Sequence, residues 1–140
     1  MTGEAFSGLR VLDLTRGIAG PYCTRWFAEF GAEVTKIEPP GAGDPSRAAG
    51  PFPGDLPDPE ASGLFLYLNA RKKSVTANIA SGTGSEIVRR LASESDLFVE
   101  DFGPGGLAPH ALGVGHLRSN PRLIYVSISN FGHTGPYRDL

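Results

Sequence analysis

Glycine-rich turns that follow short apolar runs are the residues of this chain best suited to binding chemistry. Gly17, Gly20 and Pro21 follow the first such run, and Asp101–Gly106 combines an aromatic ring with several backbone amides after a later one. Backbone N–H groups at the beginning of a helix can bind phosphate, and an aromatic ring can support a flat base or a thin chain. Each segment is equally compatible with a plain turn that uses glycine for a positive φ.

Other well-known sites are disfavoured by residue type and spacing. Neither Gly41–Gly43 nor Gly82–Gly84 completes the G-x-G-x-x-G pattern of a nicotinamide dinucleotide site, and the chain contains no P-loop. No Ser–His–Asp, Cys–His or paired-carboxylate arrangement can be assembled, so no catalytic residue is predicted. The histidines have neither the mutual spacing nor the neighbouring carboxylates of a metal site, and no metal is expected at His110, His116 or His133.

Composition sets the class of protein. The chain has 140 residues, 40% apolar and 20% charged, which suits one globular domain or a piece of a larger one. The net charge is −2, and the longest basic block, Arg71–Lys73, is predicted to be mainly a solvated face, so a nucleic-acid partner is not expected. Apolar runs such as Leu64–Leu68 are too short to cross a membrane. Met1–Glu4 has no signal-peptide character and the single Cys23 cannot form an internal disulfide, so we expect a cytoplasmic protein. Cys23 itself is predicted to pack as a small core residue.

Strand-like runs alternate with helical segments along the chain. A helix over Gly20–Gly31 is predicted to begin at Pro21 and to be well buried through Tyr22, Trp26 and Phe30. Ser81–Ser95 is the clearest helix, with Ile87, Val88 and Leu91 predicted to share one face. Helical turns are expected at Leu64–Leu68, Leu107–Leu112 and around residues 116–119. The predicted strands are Leu9–Asp13, Glu33–Ile37, Ser74–Asn78, Asp96–Glu100 and Arg122–Ile128.

This alternation predicts an α/β fold with a doubly wound parallel sheet. Ligands of such sheets bind beyond the carboxyl ends of the strands, so the candidate site consists of the loops that follow the strands. The segment from Glu38 to Gly63 is rich in Pro, Gly, Asp and Ser, and its length is typical of a lid or binding loop.

Taken in order, these segments resemble the opening of the family III CoA-transferases, from about Gly8 to the last residue. This family includes formyl-CoA transferase, carnitine CoA-transferase and α-methylacyl-CoA racemase. The motifs that carry the resemblance are Leu9–Thr15, Ala19–Pro21, Phe30–Glu38, Leu68–Ser74, Val99–Gly105, Asn120–Tyr125 and Phe131–Tyr137.

The resemblance implies a Rossmann-like large domain and an interlocked homodimer, with residues 1–140 as the amino-terminal CoA-binding part of that domain. It implies a CoA thioester and a carboxylic acid as substrates, with no permanently bound cofactor. Transferases of the family act through an acyl-aspartyl anhydride and an aspartyl-CoA thioester, whereas its racemases exchange the α-proton. A non-catalytic acyl-CoA-binding module or one subunit of a split enzyme is the alternative.

The resemblance also assigns binding residues. Arg16 stands where the family often has histidine, and Pro39 and Pro109 stand where it has arginines that bind the CoA phosphates, so Arg47 or His110 is the candidate replacement. The family's nucleophilic aspartate lies downstream of the Gly132–Tyr137 loop, and we therefore expect an amino-terminal portion with a CoA half-site. The positions that match CoA contacts are Arg16, Ile18 and Ala19, then Ala77, Asn78, Ile79 and Ala80, and finally Asp101, Phe102 and Gly103.

Overall fold

A five-stranded parallel sheet forms the centre of the protein in a computed structural model that describes residues 4–140. Every neighbouring pair of strands is parallel, and the spatial order is β3-β2-β1-β4-β5. The predicted α/β class and parallel sheet are therefore confirmed. The strands are β1 (Arg10–Leu14), β2 (Glu33–Glu38), β3 (Lys73–Thr76), β4 (Leu97–Glu100) and β5 (Ile124–Ser127).

Three α-helices connect these strands: α1 (Ala19–Glu29), α2 (Gly63–Leu68) and α3 (Gly82–Ser93). The predicted short helix near residue 108 is a single 3-10 turn, and the one around residues 116–119 is wrong because that segment forms only turns. Helix α1 begins two residues before Pro21. Within residues 4–140, none of the helices has the length and apolar character needed to span a membrane.

The core lies on both faces of the sheet because strand residues alternate between them. Leu12, Leu14 and Phe98 pack on one face with Val88 of α3. Val11, Val34 and Val99 pack on the other with Ala28 of α1. The strand ends are thereby held in a layer covered on both sides.

The aromatic face of α1 is not buried as predicted. Tyr22, Trp26 and Phe30 are 41%, 45% and 47% exposed, and they stack along the outer surface of the helix. Small residues face the sheet instead, including Thr24 and Ala28, which are buried. Small side chains let the helix axis approach the sheet closely, so the larger ones point outwards.

Two other side-chain predictions need correction. Cys23 is half-buried on α1 and is not part of the core on either face of the sheet. On α3, Val88 is fully buried whereas Ile87 is 42% exposed, so the two do not share one buried face.

The long segment after β2 is ordered against the sheet. It contains two 3-10 turns, Pro45–Ala48 and Pro53–Asp55, and leads into α2. The Ser62 hydroxyl is buried and donates to the carbonyls of Ser46 and Ala49, at 2.7 and 2.5 Å. Side-chain bonds to the backbone thus give this segment a defined shape without a long helix or strand.

Candidate ligand-binding site

The turns that follow β1 and β4 contact each other at the carboxyl edge of the sheet. The backbone N–H of Arg16 donates to Asp101 Oδ2 at 2.8 Å. The Arg16 guanidinium lies 4.2 Å from the centroid of the Phe102 ring, a cation–π distance. These contacts place one cation and one aromatic ring at the centre of the predicted site.

A cavity of about 170 Å³ lies on one side of this pair. Its walls are mainly apolar, with the Arg16 guanidinium and the His110 imidazole as polar groups. Such a slot suits a flat group with an anionic substituent. The lining residues are Leu14, Arg16, Ile37, Pro39, Ile79, Ala80, Phe102 and His110.

A second cavity of about 460 Å³ also has Phe102 in its wall and is more polar. Ala19, Asp101 and Gly103 line it together with Phe102, so Phe102 is common to both cavities. Residues from the end of the chain complete the walls: Ile128, Ser129, Asn130, Arg138 and Leu140. The parallel sheet predicts that the loop after β5 lies at this edge. The sequence does not single out any residue of this loop as a ligand contact, because no position in its turn-rich sequence differs from its neighbours.

Three of the predicted positions line neither cavity. Ile18 is 62% exposed before α1, and Ala77 is buried in the core. Asn78 shapes the turn after β3, because its side chain accepts from the Ala80 N–H and its carbonyl accepts from the Ser81 hydroxyl. Only glycine fits at position 84 beside this turn, since a Cβ on Gly84 would lie 1.9 Å from the Asn78 carbonyl oxygen.

Asp101 is the acidic group of the site. Burial raises the pKa of its carboxyl, and the backbone N–H and charge of Arg16 offset only part of that effect. Its Oδ1 atom is buried without a hydrogen-bond partner. Asp101 thus places a half-buried carboxyl in the wall of the larger cavity.

Arg47 does not contribute a cation to either cavity, contrary to its expected role as a replacement phosphate contact. Its guanidinium binds Glu38 with two bonds, at 2.7 and 2.9 Å, and also pairs with Glu60 at 3.1 Å. It lies 3.6 Å from the centroid of the Phe65 ring as well. A sequence pattern cannot show that this arginine is already paired.

The Glu38 carboxyl should make folding stability depend on acid pH. Burial alone would raise its pKa, but bonds from Arg47, Ser74 and the Asp44 N–H hold it at about 2, below the ordinary 4.5. A lowered folded-state pKa stabilises the protein above pH 4.5 and loses that effect as the pH falls towards 2. We expect a loss of about 2 to 3 kcal/mol across this range.

Urea unfolding at a series of pH values would measure this loss. Glu38→Gln should flatten the dependence, whereas Glu94→Gln, at a side chain 72% exposed, should leave it unchanged. Equal slopes for Glu38→Gln and the unmodified protein would contradict the assignment.

Lys72 is the second basic residue whose surroundings differ from the prediction. Its side chain is only 1% exposed and does not belong to a solvated face. The ammonium group lies 3.0 Å from Asp13 Oδ2 and donates to the Pro21 carbonyl, Thr24 Oγ1 and Asn69 Oδ1, all within 2.9 Å. Its neighbours Arg71 and Lys73 are exposed as predicted, and lie at the amino end of β3.

Comparison with known proteins decides the family. The profile described as CoA-transferase family III matches residues 6–140. The chain belongs to this family. Succinyl-CoA:glutarate CoA-transferase of Mus musculus is 44% identical over 95% of this chain and 30% of its own length, and formyl-CoA:oxalate CoA-transferase of Escherichia coli is 40% identical over 93% and 30%.

Solved structures of the family share the fold described above. A CaiB/BaiF family protein from Brucella suis superposes with a TM-score of 0.89 at 38% identity, covering 99% of this chain and 36% of that one. A Mycobacterium tuberculosis protein superposes with a TM-score of 0.87 at 36% identity. The chain thus spans about a third of the length of the family members it matches.

Proposed function

We propose that this chain binds a CoA thioester across the carboxyl ends of its strands, with Phe102 between the two halves of the ligand. The adenine nucleotide end occupies the smaller, apolar cavity and the pantetheine arm passes the ring into the larger one. The observation that carries this proposal is that Phe102 lines both cavities. CoA has the matching shape, since a flat base with phosphates is joined to a thin polar arm.

Each cavity offers groups that fit its half of the ligand. Arg16 supplies a permanent cation for phosphate, and His110 lies in the same cavity as a further donor. The pantetheine arm carries amide N–H groups, and Asp101 in the wall of the larger cavity is an acidic side chain near their path. Ile79 and Ala80 also line this cavity, where the base would lie.

The reaction follows from the family. The full-length protein moves CoA from an acyl-CoA thioester to a second carboxylic acid, and the thioester is a substrate and not a bound cofactor. The two relatives described above are named as CoA-transferases, which supports transfer as the activity. No residue of this chain is assigned as the nucleophile.

The same inference extends to the assembly. We place residues 1–140 in the large Rossmann-like domain of a cytoplasmic, interlocked homodimer, as the family resemblance implies. Sedimentation of the full-length protein should give the mass of a dimer, and a monomer would contradict this assignment.

Loss of the Phe102 ring tests the binding proposal. Phe102→Ala should weaken CoA binding about tenfold, because stacking on an aromatic ring contributes on the order of 1 to 3 kcal/mol per base. Isothermal titration of the purified protein with CoA measures the change. Phe30→Ala is the matched control, since this ring is 47% exposed at the far end of α1. Equal affinities of the two variants would contradict the proposal.

A further inference from the structure

Lys36 and Asp44 form a buried ion pair beneath the site. Their charged atoms lie 2.8 Å apart, and each side chain is 1% exposed. Burial alone would raise the pKa of Asp44, but the Lys36 ammonium and bonds from Ser46 bring it below its ordinary value. The Asp44 carboxyl is therefore ionised in the folded protein at neutral pH.

Both members of the pair also bind the turn that follows β1. Lys36 Nζ donates to the Thr15 carbonyl at 2.8 Å. Asp44 Oδ1 accepts the Gly17 N–H at 3.2 Å. These bonds lie on either side of Arg16, so the backbone of this residue is held from both directions.

The same carboxylate is anchored in the segment after β2. Asp44 Oδ1 accepts the N–H and the hydroxyl of Ser46, at 2.8 and 2.6 Å. Its own N–H donates to Glu38 Oε2 at 2.9 Å. A buried ion pair is weak evidence of stability, because desolvation of both charges opposes their attraction. Its bonds to the Arg16 turn give it a different role.

We propose that Lys36 and Asp44 are positioning residues that hold the turn over Thr15–Gly17, so that the Arg16 guanidinium stays over the Phe102 ring where a CoA phosphate would bind. This inference rests on the proposed function. Gly17 has a φ of +72°, a left-handed conformation that favours glycine, and the Asp44 bond holds its N–H in that conformation. The pair therefore prepares the cation before the ligand arrives, which lowers the entropic cost of binding.

Removing the charges of Lys36 and Asp44 together distinguishes a positioning role of the pair from a contribution to folding stability. Lys36→Met alone leaves Asp44 buried without its cation and should lower both the melting temperature and CoA affinity. Lys36→Met/Asp44→Asn removes both charges and keeps an acceptor for Ser46, so the melting temperature should return to within a few degrees of the unmodified value. CoA affinity should remain lower by roughly fivefold or more, because nothing then holds the Thr15 carbonyl.

Amide hydrogen exchange at Arg16 reports the turn directly and should be faster in the double variant, since its N–H belongs to the peptide group whose Thr15 carbonyl loses the Lys36 donor. Ser62→Ala is the control, since this buried hydroxyl supports the same segment but touches no residue of the turn. It should lower the melting temperature and leave both CoA affinity and exchange at Arg16 unchanged.

Two results would overturn the positioning role: a double variant that binds CoA like the unmodified protein, or an exchange rate at Arg16 that does not change. Failure of the unmodified protein to bind CoA would instead contradict the proposed function, and the exchange rates would still decide whether the pair holds the turn.

Discussion

Lys72→Met should destabilise the protein by about 3 to 5 kcal/mol, as expected when one member of a buried ion pair is removed. The remaining partner, Asp13, is fully buried. Its carboxylate keeps bonds from Thr15 and Thr24, at 2.5 and 2.6 Å, and burial still disfavours its charge. The substitution also leaves the Pro21 carbonyl and the Asn69 side chain without the ammonium donor.

Lys73→Met provides the comparison for this prediction. Lys73 has the same side chain, but it is 67% exposed and pairs with Glu33 in solvent. Urea unfolding should show a clear fall in midpoint for Lys72→Met and no measurable change for Lys73→Met. Similar midpoints for both variants would show that the Asp13–Lys72 pair contributes little.

Arg16→Ala should weaken CoA binding roughly ten- to hundredfold, because a charged hydrogen bond to phosphate contributes about 1.5 to 3 kcal/mol. Arg16 is the only Lys or Arg in the smaller cavity, and among the described residues the nearby Lys36, Arg47 and Lys72 are paired with carboxylates. The melting temperature should hardly change, because Arg16 is exposed and its side chain lies on the outer surface of Phe102.

Arg10→Ala is the matched control for the loss of an arginine. This residue lies at the amino end of β1, where its side chain is 55% exposed and 3.9 Å from Glu94. Titration calorimetry should find its CoA affinity unchanged. Raising the salt concentration should weaken binding by the unmodified protein more than binding by Arg16→Ala, because screening acts on the ion pair that the variant lacks. Equal affinities of the two arginine variants would argue against a phosphate contact at Arg16.

The order of the elements could be predicted from the sequence because it depends on local signals. Apolar runs such as Val11–Leu12 and Phe98–Val99 are short and end in glycine turns, and the Ser81 hydroxyl begins α3 by accepting the Gly84 N–H. Parallel pairing follows from the helical connections between strands. The predicted strand ends differ from the observed ones by at most two residues, since these ends depend on pairing with the neighbouring strand.

Only those features of the site that depend on position along the chain could be predicted from the sequence. Residues that follow strands were expected to meet at one edge, and Arg16 and Phe102 do contact each other there. The partners of charged side chains depend on tertiary packing, so Lys72 was mistaken for a solvated residue and Arg47 for a free cation. An Asp within β1 and a Lys within β2, both fully buried, were the available signal for an ionic network beneath the site.

Mapping CoA onto the backbone by NMR is the most direct test of the central claim, that the strand ends hold the coenzyme on both sides of Phe102. On titration with CoA, the amide signals that shift should belong to the two cavities, including Arg16, Ala80, Gly103 and Asn130. The small cavity at the opposite edge, lined by Arg10, Glu33 and Glu94, should show no shifts. Shifts confined to that opposite edge, or no shifts at a saturating CoA concentration, would contradict the account.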